Sequence, residues 1–312
     1  KVSDIERGNN WGIGRLYSLV TGGILPYGPE KGYGKVMGLA PYGQNKKGPV
    51  LEFNSVDKGI ETDYSNFYTR FPNSRLLAPD IQYIEDRKKV MEDFPSRAAF
   101  DVQEECERQF VRMAQYAFDK TKSKNLCIAG GVALNGAANL KILEKTNIEN
   151  IWIQPGCSDT GVTLGLALWG YYNEIKKAND KTSRIFMRNA YTGRNYSDIE
   201  ISKTLEKFDI NSKKVSPEQV GELVSKGKVI AWFDGNSEFG PRALGHRSIV
   251  ADPRKENMKK YLNSSIKFRE GYRPYAPSIL EDHYKEWLEL DIKSPFMLLL
   301  PKVKKDKRDL IP

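Results

Sequence analysis

The sequence predicts an α/β protein built from two successive domains. Three observations carry this. Strand–loop–helix reads twice between residues 125 and 177, a polar segment follows at 178–196, and a second helix–strand segment starts at Ser216. With 312 residues, 39% of them hydrophobic and 29% charged, the chain is long enough for two ordinary cores.

The elements follow in order. GRLYSLVTGGILPYG (14–28) reads as a short helix that ends at Gly22-Gly23, and GYGKVMGLAPYG (32–43) as a loop around one helical turn. Residues 51–95 give short strand-like pieces, polar turns and prolines, the pattern of an irregular insertion. A helix is expected from Pro95-Ser96, with Ser96 as N-cap and Ala99, Val102, Cys106, Phe110, Met113 and Ala117 along one buried face. Cys106 lies on that stripe and is read as core filling. Asn125–Ala129 reads as a buried strand running into Gly130-Gly131, 135–146 as a helix, Ile151–Ile153 as a second strand and 162–177 as a closing helix. Such repetition means a parallel layer with ligands at the carboxyl ends of the strands. The domain linker is placed at 178–196, which divides the chain into 1–180 and 181–312. Beyond it, Ser216-Pro217-Glu218-Gln219 combines an N-cap, an early proline and a capping-box glutamine; Gly227 stops that helix, and Val229–Phe233 is a strand.

Composition excludes several classes. No apolar run reaches 18 residues, so no transmembrane helix is expected, and the opening KVSDIERGNNWGIG lacks a signal-peptide pattern. Cys106, Cys127 and Cys157 are odd in number and widely spaced, so neither a disulfide framework nor a CxxC metal site is implied, and a cytoplasmic setting follows. The two histidines, His246 and His283, are far apart in sequence, so no HxxxH or HExxH pair exists and no complete His-based metal site is encoded. The net charge of +9 favours anionic ligands and permits nucleic-acid contact.

The chemistry concentrates in Glu238–Pro277, where nine Lys and Arg face four Asp and Glu. The cations sit among Gly240, Pro241, Gly245, Ser248, Ser264, Ser265 and Gly271, residues that let backbone N–H groups approach a ligand. Arg supplies a planar fork and Lys a point charge, which suits a phosphate or carboxylate; the plainer reading is a solvated basic face. His246 lies inside the stretch, where it would bond an anion or act as acid or base, and His283 reads as a surface residue. Two loops of the first domain add to this. GGVALN (130–135) follows a strand and opens a helix, a place for a phosphate or for packing alone. PGCSDTG (155–161) sets Asp159 just before a helix, where it would ligate a metal, orient phosphates or merely cap the helix. Cys157 reads as a buried loop thiol.

With these blocks in view, the chain resembles the O-carbamoyltransferase family of nodulation and antibiotic-tailoring enzymes. The matching pieces are EKGYGKVMGLAPYG (30–43), GGVALN (130–135), PGCSDTGVTLGLAL (155–168), EFGPRALGHRSIVADPR (238–254) and IKFREGYRPYAPSIL (266–280), in the family's order. The resemblance implies an actin-like (ASKHA) α/β domain at 1–180, similar to the universal tRNA threonylcarbamoyl-adenosine enzyme, followed by a YrdC-like α/β domain at 181–312. It also implies a two-step reaction. The YrdC-like domain would join carbamoyl phosphate and ATP into carbamoyl adenylate, and the actin-like domain would pass the carbamoyl group to an acceptor hydroxyl near a divalent metal, usually iron (Fe2+), with Mg2+ accompanying ATP. On matched positions, Arg242, His246, Arg247, Lys267, Arg269 and Arg273 would hold carbamoyl phosphate and the ATP phosphates. Gly130, Gly131, Asn135 and Gly161 would line the first domain's nucleotide site, Lys35 and Gly38 would face the adenosine, and Asp159 would be a metal ligand. Family acceptors are sugars, antibiotics and other small alcohols; a nucleic-acid acceptor is not indicated, no membrane contact is implied, and a homodimer fits. Measured against the family, the chain is expected to be an internal fragment. It lacks an amino-terminal strand, phosphate loop and histidine pair, and the later blocks of the YrdC-like domain. The competing classes are a basic nucleic-acid-binding protein and a nucleotide-binding module without transfer.

Overall fold

The computed structural model describes residues 12–25, 27, 32–44, 51, 53, 56–58, 61–63, 94–175, 186–213 and 215–312. Most of the segment read as an irregular insertion, and residues 176–185 of the segment read as a linker, lie outside these. The chain divides into two compact units: Lys1–Trp152 with Arg269–Pro274, and Ile153–Phe268 with Tyr275–Pro312.

In the first unit, α1 (Ile13–Leu19) runs on as a π-helical turn through Val20–Ile24. The pair Gly22-Gly23 therefore does not stop it as expected; the widened turn absorbs both glycines. Helix α2 (Tyr33–Leu39) has two turns rather than one and tightens into a 3-10 turn at Ala40–Gly43. A short antiparallel pair follows, β1 (Val56–Lys58) with β2 (Glu61–Asp63).

The backbone of this unit is α3 (Phe94–Thr121), which begins two residues before the expected cap, so that Pro95 lies in its first turn and Ser96 is buried inside it. Ala99, Val102, Cys106 and Phe110 form the expected buried face, joined by Leu16, Val20, Val36 and Leu39 from α1, its π turn and α2. Gly43 is required where it stands: a Cβ there would sit 2.1 Å from the Ser96 carbonyl oxygen. Strand β3 (Asn125–Cys127), helix α4 (Gly136–Lys145) and strand β4 (Asn150–Trp152) follow, and β3 pairs with β4 in parallel, Leu126 opposite Ile151. The parallel layer is thus present, but β3 is not buried as expected. Asn125 and Cys127 point outward, and Trp152 beside Cys127 is 46% exposed.

In the second unit, the closing helix read over 162–177 starts earlier, as α5 (Thr160–Gly170), and continues as a π turn to Ile175; 176–177 lie outside the described residues. Helix α6 (Asp198–Lys207) starts in a capping box of Ser197 and Glu200, and α7 (Pro217–Ser225) in the expected box of Ser216 and Gln219. Gly227, at φ +85°, closes α7 as read from the sequence. Strand β5 (Ile230–Phe233) pairs antiparallel with β6 (Arg247–Val250), Phe233 opposite Arg247. Arg247–Val250, within the basic stretch, is therefore a strand. Short helices α8 (Met258–Tyr261) and α9 (Tyr284–Trp287) complete the unit. Among the described residues no helix is long and apolar enough to cross a membrane.

Candidate functional site

Strand β5 delivers the chain into the loop Asp234–His246, and β6 takes it back. One side chain closes this loop. The Glu238 Oε1 atom accepts the backbone N–H groups of Leu244 (3.0 Å), His246 (2.8 Å) and Arg247 (2.9 Å). The N–H of Gly245 donates to Ser248 Oγ at 2.9 Å. The amides of 244–247 are thus all taken up within the loop, so of the residues expected to let backbone N–H groups approach a ligand, Gly245 has its own N–H committed to Ser248. Partial burial pushes the Glu238 carboxyl up, but the N–H groups outweigh it and hold it at about 2.

Arg247 is drawn into the same scaffold. Its guanidinium lies 3.4 Å from the Phe233 ring centroid, Nη1 donates to the carbonyls of Asp234 (2.6 Å) and His246 (2.9 Å), and Nη2 to that of Gly235 (3.0 Å). His246 is fixed on three sides. Its ring stacks on Tyr191 at 3.5 Å with 2° between planes, its Nδ1 lies 2.8 Å from the Asn236 carbonyl, and its backbone is tied to Glu238. A carbonyl only accepts, so Nδ1 carries the proton and Nε2 is the nitrogen left to meet a ligand.

The PGCSDTG and EFGPRALGHR motifs interlock within the second unit. A Cβ on Gly156 would lie 2.7 Å from the Phe239 ring, and one on Gly240 2.5 Å from the Pro155 carbonyl oxygen, with Gly240 at φ +103°. Gly161 is equally constrained, its Cβ position lying 2.0 Å from Gln154 Nε2. Cys157 is 2% exposed; burial pushes its thiol up while the charge of Arg242 opposes. The buried loop thiol read from the sequence is what stands here. Residues 190–193, read as linker, are part of this scaffold: Phe239 N–H donates to the Ala190 carbonyl, Gly193 N–H to that of Ser237, and Asn236 Nδ2 to that of Gly193.

Asp159 occupies the N-cap position of α5 without a side-chain capping bond and is exposed. Among the described residues no three His, Cys, Asp and Glu side chains converge on a common metal position. Among the described residues Asp159 would therefore supply only part of an ion's ligand set.

The other expected residues fall elsewhere. Lys267 is exposed, in the second unit. Arg269 and Arg273 belong to the segment that joins the first unit. There Glu270 pairs with Lys35 at 2.5 Å and Arg273 at 3.8 Å, and Gly38 leaves room for Pro274, 3.3 Å from its Cβ position. Two motifs far apart in sequence, GYGKVMGLAPYG and FREGYRP, therefore pack together. Gly130, at φ +110°, and Gly131 are exposed, with nothing within 4 Å of either Cβ position. Asn135 is buried and committed: it caps α4 through Ala138 N–H at 3.1 Å and exchanges hydrogen bonds with Gln103, which also accepts from the Tyr17 hydroxyl. Of the two histidines, His283 is the surface one, paired with Glu286 at 2.8 Å, which raises its pKa.

Sequence reasoning missed Glu238, Tyr191, Asn236 and Gln103. The carboxylate was counted only as one anion among cations. Its place six to nine residues before the backbone donors it gathers, those of Leu244, His246 and Arg247, is visible only once the loop closes on it.

The chain belongs to the carbamoyltransferase family. The family model described as carbamoyltransferase N-terminus matches residues 5–168, and that described as carbamoyltransferase C-terminus matches 221–312. Among its relatives, the nodulation protein NolNO of Sinorhizobium fredii is 35% identical over 309 residues, covering 96% of this chain and 44% of that protein. An uncharacterized protein of Synechocystis sp. is 33% identical over 313 residues, 95% of this chain and 50% of that protein. The nodulation protein NolO of Bradyrhizobium diazoefficiens is 31% identical over 283 residues, 89% and 51%. The chain spans about half the length of the curated relatives it matches.

Proposed function

We propose that the protein is an ATP-dependent O-carbamoyltransferase: carbamoyl phosphate and water give carbamate and inorganic phosphate, a carbamate oxygen attacks the α-phosphorus of ATP to form carbamoyl adenylate with loss of pyrophosphate, and an acceptor hydroxyl then takes the carbamoyl group with release of AMP. The observation that carries this reading is the loop 234–247. It fixes the His246 ring so that Nε2 is the nitrogen left for a ligand, in a segment that also carries Arg242 and Arg247, and in a chain that matches carbamoyltransferase models.

In the first step His246 would hydrogen-bond the carbamoyl or phosphate oxygens, and Arg242 with the uncommitted donors of Arg247 would balance charge developing at phosphorus. Lys267 is assigned to the phosphates of ATP, and Arg269 and Arg273 to phosphate contact within the first unit. The open backbone at Gly130-Gly131 is assigned to nucleotide contact in the second step, with Lys35 and Gly38 toward adenosine. Asn135 and Gly161 would act there as supports, since the first is spent on Gln103 and α4 and the second on close packing. The actin-like and YrdC-like division at 180/181, Fe2+ at Asp159 and Mg2+ with ATP are part of the same reading. So is an acceptor of the sugar or small-alcohol class.

The test is product analysis on the full-length natural protein. AMP and pyrophosphate released from ATP only when carbamoyl phosphate is present support the reading. ATP bound but not turned over under the same conditions points to a nucleotide-binding module instead.

A further inference from the structure

We propose that Glu238 and Tyr191 are positioning residues that set His246 in one tautomer, with Nε2 directed at the reacting anion. The catalytic part of this rests on the reading above; the positioning part rests on geometry alone.

The ring of His246 has no covalent reason to choose between its two neutral forms. Three contacts choose for it. The Asn236 carbonyl, 2.8 Å from Nδ1, accepts a proton that must therefore sit on Nδ1. The Tyr191 ring, parallel at 3.5 Å, fixes the plane in which Nε2 points. Gly235 leaves the space this needs, because a Cβ there would stand 3.3 Å from His246 Cε1.

Both partners are in turn held through one peptide. Tyr191 Oη donates to the Leu244 carbonyl at 2.7 Å, while Glu238 Oε1 accepts the Leu244 N–H at 3.0 Å and the His246 N–H at 2.8 Å. The Leu244 unit is thus gripped at both ends, and the backbone that carries the imidazole hangs from one carboxylate oxygen. An ionised acceptor makes bonds about twice as strong as a neutral one. Glu238 stays ionised, being held at about 2, and Tyr191 stays a donor, because burial first and the Glu238 charge second push its hydroxyl up. The ionised Glu238 has no proton to donate and the Tyr191 hydroxyl gives its own to Leu244, so each acts through His246.

The experiment uses the full-length protein labelled with 15N-histidine, His246 being assigned by the signals lost in H246A. Two readouts are taken: the ring 15N pattern and AMP release driven by carbamoyl phosphate. Wild type is expected to show the Nδ1-protonated pattern. E238A is expected to shift to the pattern of free imidazole. In AMP release H246A loses ~100-fold, E238A matches it, and E238Q, which keeps an acceptor without the charge, loses ~10-fold. Combining E238A with H246A costs nothing beyond H246A. Should E238A fail to fold, Y191F removes only the hydroxyl to Leu244 and is expected to broaden the tautomer pattern and lose ~3-fold. A wild-type 15N pattern in E238A or Y191F overturns the proposal. So does a double variant that falls by the product of its two single losses. If wild type makes no AMP while the 15N patterns move as expected, the assigned reaction fails and the positioning stands.

Discussion

In the first unit Leu16, Val20, Val36, Val102 and Cys106 are each 2% exposed or less and touch one another around α3. In the second, α5, α6 and α7 bury no residue, and Val162, Leu166 and Trp169 along α5 are all more than half exposed. What orders the second unit around its loops is polar: Glu238 gathers three amides, and Asp252, 4% exposed, takes the Arg254 guanidinium and backbone N–H. Apolar burial is non-directional and tolerates small shifts, whereas a carboxylate oxygen with three donors specifies positions to within a few tenths of an ångström. The first unit is built to be stable, and the second to place groups.

Three experiments break or sharpen that contrast, from the largest effect down. Gly240→Ala combines a positive φ with a Cβ 2.5 Å from the Pro155 carbonyl oxygen and should cost about 4 kcal/mol, seen as a lost or early unfolding transition. A near-neutral result would mean that the two loops do not interlock. Leu16→Ala should cost about 3 kcal/mol in urea unfolding, against about 0.5 kcal/mol or less for Leu166→Ala. Equal costs would erase the difference between the units.

The smallest effect is in pH. The Arg254 guanidinium holds the Asp252 carboxyl at about 2, below its ordinary value, and Glu238 also sits at about 2. A carboxyl depressed in the folded state stabilises above its unfolded pKa and loses that contribution as pH falls through the folded value. Stability should therefore be level near pH 6 and fall between about pH 4.5 and 2. The fall should be shallower in E238Q/D252N, as read from urea midpoints at pH 6 and 3.5. Parallel curves for wild type and variant would detach these carboxylates from stability.

Much of the fold is legible where a local signal coincides with packing. The stripe Ala99-Val102-Cys106-Phe110 becomes the buried face of α3, and Ser216 with Gln219 starts α7. The same capping signal stands at Ser197-Asp198-Ile199-Glu200, so α6 was readable too, though the sequence reading stops its linker at 196 and places no helix between there and Ser216. Gly22-Gly23 misleads because helix propensity is weak beside the burial of Val20 and Leu25 on either side. In the site, the Arg and His identities are visible but their commitments are not. Arg247 reads as a free cation in a basic run, yet Phe233 and three carbonyls engage it, because β5 and β6 pair and bring residue 233 opposite residue 247. Pairing across a loop of thirteen residues leaves no local trace.

The interlock of residues 155–156 with 239–240 also constrains how the sequence can drift over generations. At one contact the obstacle to a larger residue 156 is the Phe239 ring, which a smaller side chain at 239 would relieve; those two positions can change as a pair. At the other the obstacle is the Pro155 carbonyl oxygen, which every amino acid carries, and the backbone at 240 is left-handed as well. No second-site change makes room there. Across descendants of this chain, position 240 is accordingly expected to stay glycine while 156 and 239 trade size between them.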